Sequence, residues 1–463
     1  FCFPKMVPGT YAIYNFGRYV QNLQAYDASG KQIPVIRKDT NCYTFANASS
    51  LTYQVDDSWD SPEIKGPYVF EPAGTNFQQD TLFALNTHAL LGYIKGRELL
   101  PVSLQLNVPP GMVASSSLIE KNGRFSEASY QHLTDAPILV APADTIYLHL
   151  ANAEILISVY SPNQKIKASE IAEQLKPLLK AQLNYLGGQF PVNKYAFLIV
   201  MSDHLKNGSY GALEHAQSSF YYLPEDSINV MGPVIRDVSA HEFFHIQTPL
   251  NLHSEEIGRF DFQNPQMSKH LWLYEGLTEY AAQHMQLQGG LISLTEFLER
   301  MTEKYRTMHF SYDNTIPFTK LSKGVLNKYK EEYGNVYQKG ALIGFCLDLY
   351  LRSETNGGYG TQQLIRDLSA RFGSSTSFKD DELFRIITET TKMKGINQFF
   401  ANYISGNKEL PLGQLLEKIG CELRSTDEKK DKIRFLDDLK QELKESKNPS
   451  PSQLKLRQAW IRN

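Results

Sequence analysis

The stretch Asp237-Val-Ser-Ala-His241-Glu242-Phe-Phe-His245, in the middle of the 463-residue chain, decides the fold and the chemistry that we expect of it. Its two histidines are four residues apart, so a helix places them on one face, where both imidazoles can reach a single metal ion. Glu242 directly follows the first histidine, and its carboxylate can take a proton from a water molecule beside that metal. The alternative is a chance occurrence on an amphipathic helix. We predict a zinc site at His241 and His245, with Glu242 as general base.

A three-ligand zinc site needs one more side chain, and a second predicted helix supplies two candidates. The segment Leu271-Trp-Leu-Tyr-Glu275-Gly-Leu-Thr-Glu279-Tyr280 places Glu275 among apolar neighbours, which is unusual for a carboxylate on a solvated face. Glu279 lies one turn later, where it could be the ligand instead, or could orient one of the histidines from behind. The residues alone leave this choice open.

The composition excludes some functions. Lys and Arg number 47 and Asp and Glu 50, a net charge of −3, so we expect no nucleic acid partner, because an excess of positive charge is lacking. No apolar run reaches the roughly 18 residues that cross a bilayer, so we expect no transmembrane segment. The four cysteines are too few for a disulfide scaffold, although Cys2 and Cys42 could pair within one domain.

Length and hydrophobic patterning predict a multidomain α+β protein with three regions. Residues 1–161 form a β-rich domain with a long surface loop at Ser115–Ser129, residues 162–305 form an α+β domain with the HExxH segment, and residues 306–463 are helical with a charged tail. The strand-like runs of the first region are rich in β-branched and aromatic residues. They are Thr10–Phe16, Leu51–Val55, Val102–Val108 and Ile155–Tyr160.

Helical periodicity begins near Ala168, and a buried strand follows at Tyr195–Met201. Beyond Gly357-Gly358, every segment with a recognisable pattern is predicted to be helical, including a charged stretch at 428–447 with a narrow apolar stripe. The stripe consists of Ile433, Leu436, Leu439 and Leu443. Around the site, the predicted helices are Ile235–Gln247, Ser268–Gln286 and Val336–Arg352.

The run from His241 to Tyr280 resembles the gluzincin metallopeptidases, in which HExxH is completed by a glutamate within W-x-x-E-G-x-x-x-Y on the next helix. Trp272, Glu275, Gly276 and Tyr280 fit this pattern. Three other segments, together with Phe260-Asp-Phe-Gln, make the chain similar to the narrower glycyl aminopeptidase family. They are Gly211-Ala-Leu-Glu214-His215, resembling G-G-L-E-H, Tyr337-Gln-Lys339-Gly340, resembling Y-x-K-G, and Pro8-Gly9-Thr-Tyr11, resembling P-G-x-Y.

The resemblance implies a thermolysin-like catalytic domain after a β domain and assigns the site residues. Glu275 becomes the third zinc ligand, and Tyr337 becomes the phenol that hydrogen-bonds the developing oxyanion. Glu214 lies on an edge strand and binds the α-ammonium group of the substrate, while Gly211 lets the backbone approach the substrate closely. The implied activity is zinc-dependent removal of small N-terminal residues, Gly or Ala, from peptides with a free N-terminus.

Two alternatives remain from the sequence. One is an endopeptidase that uses the same zinc without Glu214, and the other is an inactive protein that presents peptides or glycans on the same fold. Resemblance to bacterial members favours an extracytoplasmic location, either periplasmic or membrane-associated through a leader that this chain lacks. Many members carry a PDZ domain after the helical region, and the polar residues after Cys421 do not resemble one.

Overall fold

The computed structural model describes residues 1–61, 63–205, 209–425 and 440–462. The chain divides into two compact units, each built from three segments. The first unit comprises Phe1–Gln174, Val192–Val238 and Phe260–Pro265, and the second comprises Leu175–Pro191, Ser239–Arg259 and Gln266–Asn463. The predicted α+β class, with N-terminal sheets and a helical C-terminal region, is confirmed. The boundaries at residues 161 and 305 stay predictions.

The first 142 residues of the first unit form small antiparallel sheets. Their strand orders are β2-β1-β5, β3-β4, β6-β7-β12-β9 and β10-β11-β8. A disulfide joins Cys2 to Cys42, the pair that the sequence offered. The strands are β1 Val20–Tyr26, β2 Gln32–Ile33, β3 Ile36–Arg37, β4 Tyr43–Thr44, β5 Ser50–Val55, β6 Asn76–Gln78, β7 Leu82–Leu85, β8 Val102–Gln105, β9 Val113–Ser116, β10 Glu120–Lys121, β11 Arg124–Glu127 and β12 Ile138–Ala141.

A five-stranded mixed sheet of order β13-β14-β15-β17-β16 completes the first unit. The two central strands β14 and β15 are parallel and almost wholly buried, because their runs of Ile, Leu, Val and Phe are covered on both faces. Strand β16 lies at the edge and pairs antiparallel with β17. The strands are β13 Asp144–Leu150, β14 Ala153–Tyr160, β15 Lys194–Ser202, β16 Gly211–His215 and β17 Ser218–Pro224.

Two predictions for the N-terminal region are wrong. Thr10–Phe16 is an irregular loop that leads into a 3-10 turn at Phe16–Tyr19, and Tyr11 and Asn15 have positive φ angles, which a strand does not allow. Ser115–Ser129 is not a surface loop, since it contains the end of β9 and the hairpin β10–β11. The Asn122-Gly123 pair forms the hairpin turn with two positive φ angles.

Helices dominate the second unit. None of the described helices is long and apolar enough to span a membrane. The helices of the chain are α1 Thr87–Leu90, α2 Tyr130–Thr134, α3 Ala168–Tyr185, α4 Ile228–Phe244, α5 Glu255–Gly258, α6 Leu277–Gln288, α7 Leu294–Ser311, α8 Phe318–Gly324, α9 Asn335–Glu354, α10 Thr361–Arg371, α11 Leu383–Thr391, α12 Ile396–Tyr403, α13 Leu412–Lys418 and α14 Pro451–Ile461.

The sequence predicted a C-terminal region that is helical throughout, and this prediction is wrong. Cys421–Ser425 and Gln441–Glu445 pair as an antiparallel ribbon, β18 and β19. Leu443 is buried in β19 and is the only apolar residue of that strand, so the sequence there carries no strand periodicity that could have been recognised. The other stripe residues, Ile433, Leu436 and Leu439, lie outside the described residues.

A buried polar cluster, here called the Asp348 cluster, consists of Tyr280, His284, Asp348, Arg352 and Trp460. The Asp348 carboxylate accepts hydrogen bonds from the Tyr280 hydroxyl at 2.7 Å and from Arg352 Nε at 3.2 Å. The indole of Trp460 donates to the Tyr280 hydroxyl at 2.9 Å, and its ring stacks on His284. All five residues are at most 1% exposed, so helix α14 is anchored in the core of the second unit.

Candidate metal centre

The end of α4 positions the HExxH residues. His241 and Glu242 lie in its last turn, and the helix ends at Phe244, earlier than the predicted Gln247. Tight i→i+3 hydrogen bonds follow, from His245 N to Glu242 O and from Ile246 N to Phe243 O, both at 3.3 Å. This turn brings the carbonyl of Thr248 to 3.0 Å from His245 Nδ1. Because α4 ends early, the Thr248 carbonyl can accept a hydrogen bond from the Nδ1 atom of His245.

Glu275 lies in a single π-helical turn, Trp272–Gly276, at the start of α6. Such turns shift the faces of a helix and are frequent at functional sites. A β-carbon placed on Gly276 would lie 2.5 Å from the backbone of Gly340 in α9, and one on Gly340 would lie 2.7 Å from Gly276 Cα. The glycine of the Y-x-K-G segment thus lets α9 contact the turn that carries Glu275.

The structure brings His241, His245 and Glu275 together, all of them buried. The two Nε2 atoms are 3.1 Å apart, and Glu275 Oε2 lies 3.4 Å from His241 Nε2 and 3.7 Å from His245 Nε2. Ligand atoms held about 2.0–2.1 Å from a tetrahedral Zn²⁺ lie roughly 3.3 Å apart. The observed separations match this value within a few tenths of an ångström, so the three donors fit a zinc ion.

The hydrogen bonds on the far side of each ring give a second test of the fit. Carbonyl oxygen only accepts, so His245 Nδ1 carries a proton for Thr248 and its Nε2 presents a lone pair. His241 Nδ1 lies 2.7 Å from Glu279 Oε2 and donates to that carboxylate. The Nε2 lone pair of His245 therefore faces His241 Nε2 and the Glu275 carboxylate. Only a positive charge between them, a proton or a metal ion, makes this arrangement favourable.

The pKa of His241 agrees with this requirement. Burial lowers the pKa of His241, but the carboxylates of Glu275 and Glu279 outweigh burial and hold it well above the ordinary value. Burial lowers the pKa of His245 to about 4, so this ring stays neutral beside its charged neighbour. In metal-free protein the positive charge is a proton on His241. A divalent cation would take over that charge and bind both rings through Nε2.

Glu242 is a buried carboxylate, 7% exposed, whose Oε2 has no hydrogen-bond partner among the described residues. Burial raises the pKa of Glu242 to about 7, and the nearby Glu275 and Glu279 add to this rise while His241 opposes it. A carboxyl group with a pKa near the working pH can both accept and release a proton. Glu242 thus has the properties of the predicted general base.

Glu279 takes the orienting role that the sequence left as its alternative, and Lys304 joins it. The Lys304 ammonium of α7 lies 2.7 Å from Glu279 Oε1, opposite the oxygen that contacts His241. Burial would raise the pKa of Glu279, but Lys304 and His241 hold it below its usual range. Sequence reasoning missed Lys304, because a residue on a separate helix far along the chain carries no local signal.

Tyr337 lies near the donors, in the first turn of α9. Its ring centroid is 5.6 Å from that of His241, and its hydroxyl hydrogen-bonds the hydroxyl of Tyr333. Tyr333, one helical turn earlier, is a second residue that the sequence reasoning missed. The Tyr-x-x-x-Tyr spacing could have indicated it, since residues four apart share a helix face.

Glu214 and Gly211 lie on β16 in the first unit, so their predicted roles stay predictions. Residue Glu214 as a whole is 8% exposed. The structure shows a reason for glycine at position 211 that differs from the predicted approach of the substrate. A β-carbon there would lie 2.9 Å from the ring of Phe70, so the glycine makes room for this ring.

Two family models match the sequence. Residues 1–142 match the Peptidase M61 N-terminal domain, and residues 234–343 match the M61 glycyl aminopeptidase model. The two matches together span more than half of the chain, and the second contains the three metal donors, Glu242 and Tyr337. No curated protein sequence matches the chain.

Several solved structures share the fold. An aminopeptidase N family protein from Idiomarina loihiensis is 20% identical with a TM-score of 0.80, over 92% of this chain and 74% of that one. An M1 zinc metallopeptidase variant from Deinococcus radiodurans, bound to a Tyr-Ser-Ala substrate, is 13% identical with a TM-score of 0.52, over 85% and 88%. Leukotriene A4 hydrolase from Saccharomyces cerevisiae is 14% identical with a TM-score of 0.53, over 87% and 63%. At these identities the likeness concerns the fold alone.

Proposed function

The chain belongs to the M61 glycyl aminopeptidase family of metallopeptidases, and from this we propose that it is a zinc-dependent aminopeptidase that removes small N-terminal residues, Gly or Ala, from peptides. One observation carries the zinc part of the proposal. His245 Nε2, His241 Nε2 and Glu275 Oε2 lie within 3.7 Å of one another, with both Nδ1 atoms already engaged. This donor set fits a divalent cation.

His241, His245 and Glu275 would hold the zinc ion, which when bound polarises a carbonyl group and acidifies a water molecule. Glu242 accepts the proton of the attacking water and passes it to the leaving amine, so that one water and one peptide bond give a carboxylic acid and an amine. The Tyr337 hydroxyl donates a hydrogen bond to the oxygen on which negative charge develops. Glu279 keeps His241 Nε2 directed at the ligand position.

The aminopeptidase part of the proposal depends on Glu214. A buried carboxylate on an edge strand is suited to bind the α-ammonium group of a peptide that adds to that edge. The preferred partners are therefore peptides with a free N-terminus. The preference for Gly or Ala rests on the family resemblance.

The experiment compares hydrolysis of an alanyl or glycyl fluorogenic amide with that of its N-acetylated counterpart, using zinc-loaded protein and Glu242→Gln as blank. The proposal expects cleavage of the free-amine substrate only, and none by the variant. Equal or better cleavage of the acetylated substrate would move the protein to the endopeptidases. If protein that contains zinc hydrolyses neither substrate, the result would favour the binding-protein alternative.

The location outside the cytoplasm is also a proposal. It is supported by the Cys2–Cys42 disulfide, because such bonds persist in oxidising compartments and are rare in the cytosol. Mass spectrometry of protein alkylated at isolation from its source would show whether these two cysteines are oxidised in vivo. Alkylation of both in freshly lysed cells would contradict the proposal.

A further inference from the structure

The P-G-x-Y segment near the N-terminus contacts the Glu214 carboxylate within the first unit. Gly9 has a φ of +84°, and a β-carbon there would lie 2.6 and 3.0 Å from the two carboxylate oxygens of Glu214 and 2.9 Å from its carboxylate carbon. The carboxylate therefore occupies the space that a β-carbon of residue 9 would take. Glycine is needed at this position for two reasons, the φ angle and the space.

The loop that makes this contact is held at both of its ends. Thr10 N and Oγ1 donate to Val7 O at 3.4 and 2.9 Å, and Tyr14 N and Asn15 N donate to Lys5 O at 2.8 and 2.9 Å. Tyr11 has a φ of 47°, a left-handed conformation that a non-glycine residue keeps only where its surroundings impose it. Hydrogen bonds thus hold the loop in place where it contacts the Glu214 side chain.

A second contact fixes the other end of the same strand. Gly211 begins β16, and the ring of Phe70 occupies the space where its β-carbon would be, with Cζ at 2.9 Å. Phe70 directly precedes the 3-10 turn Glu71–Ala73 of the N-terminal region. Among the described strands β16 pairs with β17 alone, so its other backbone edge has no strand partner among them. Both ends of this edge strand are therefore held by N-terminal residues.

We propose that the loop Pro8–Tyr11 forms one wall of the α-ammonium subsite, and that Gly9 is a positioning residue that fixes the Glu214 carboxylate for a free N-terminus. The inference rests on the proposed aminopeptidase function. A carboxylate held against a rigid backbone loses little rotamer freedom when an ammonium group binds, so the affinity for a charged amine rises. The selectivity for free N-termini would then be set in part by residues of the N-terminal domain.

Gly30 provides a matched control, because its φ is +83° and a β-carbon there meets nothing within 4 Å. Gly9→Ala and Gly30→Ala thus carry the same backbone penalty, and only the former pushes on Glu214. We expect Gly9→Ala to raise KM for the alanyl amide about tenfold with kcat within twofold of wild type, as when one charge-assisted hydrogen bond is weakened. Gly30→Ala should leave KM unchanged. Thermal unfolding should shift more in Gly9→Ala than in Gly30→Ala, because only the former places a β-carbon against the Glu214 carboxylate.

The Glu214→Gln background separates the subsite from general damage. There Gly9→Ala should change KM less than twofold, because the ammonium contact is already lost. If Gly9→Ala does not fold, Tyr11→Gly tests the same wall, since glycine accepts the positive φ and removes atoms, and its KM should rise about threefold by loosening the loop. Unchanged KM in Gly9→Ala or Tyr11→Gly would overturn the inference while leaving the proposed function intact. Wild-type cleavage of the acetylated amide as fast as the free one would refute the proposed function itself.

Discussion

The metal centre and the Asp348 cluster are two buried polar sites in the same compact unit, and they differ in the balance of donors and acceptors. Asp348 accepts hydrogen bonds from Tyr280, Arg352 and Thr361, so its carboxylate is matched by donors. At the metal centre, two ring nitrogens and two carboxylates converge, and Glu242 Oε2 has no partner among the described residues. A buried cluster with matched donors stabilises the fold, whereas a surplus of acceptors requires a cation.

The sharpest test of this contrast is Glu242→Gln. We expect kcat for the free-amine substrate to fall about 10³-fold, as when a general base is removed, while the free energy of unfolding stays the same or rises. Stability should not fall, because the amide replaces a buried carboxylate whose pKa is raised to about 7. Steady-state kinetics and urea unfolding measure the two quantities, and zinc content serves as the control. A marked loss of stability would place Glu242 with the structural clusters.

Asp348→Asn is the reverse case. It should destabilise the protein by about 3 kcal/mol, because Arg352 then keeps a buried charge without its ion pair. Denaturant unfolding measures this, and the zinc bound per folded molecule should not change. Asp367→Asn is the matched control, since Asp367 accepts from the Tyr359 hydroxyl at 2.7 Å but is only partly buried. Equal effects of both substitutions would remove the distinction between the clusters.

The Asp348 cluster is balanced only while His284 is neutral. Burial lowers the pKa of His284 to about 4, with Asp348 opposing this shift only in part. The unfolded chain, with a histidine pKa near 6.5, takes up the proton first as the pH falls. Stability from this group is therefore complete above about pH 6.5 and is lost towards pH 4, at about 1.4 kcal/mol per pH unit.

The variant His284→Gln checks this linkage. Its free energy of unfolding should fall less steeply between pH 6.5 and pH 4 than that of wild type. The difference in slope should be about 1.4 kcal/mol per pH unit, the value for uptake of one proton on unfolding. The exposed His149, replaced by Gln, is the control and should leave the slope unchanged. Parallel curves for wild type and His284→Gln would show that this histidine is not held neutral.

The smallest expected effect concerns Lys304, which contacts no metal donor itself. Lys304→Met should raise the zinc dissociation constant about tenfold, because Glu279 then holds His241 less firmly. Lys304→Arg should restore most of the affinity. Competition with a chromogenic chelator measures the dissociation constant, and Lys323→Met, which breaks a more exposed ion pair with Asp380, is the control. No change in affinity would make the Lys304–Glu279 pair a structural one.

Local patterns predicted what depends on local spacing. The i and i+4 histidines, and the glutamate between Trp272 and Tyr280, gave a donor set that the structure brings together, although its role in catalysis stays a prediction. The same reasoning failed for Thr10–Phe16, because β-branched and aromatic residues also line an irregular loop that is held by distant backbone groups. It also missed the Thr248 carbonyl, which reaches His245 only because α4 ends early.

The contact between Gly276 and Gly340 has a practical consequence for engineering. The two glycines let the backbone of the turn with Glu275 contact the backbone of the helix with Tyr337. The position of one segment therefore depends on that of the other. A designer who transplants this centre onto another scaffold should move both segments together with their glycines, since an alanine at either would wedge them apart. Libraries built on this centre should accordingly keep Gly276 and Gly340 fixed.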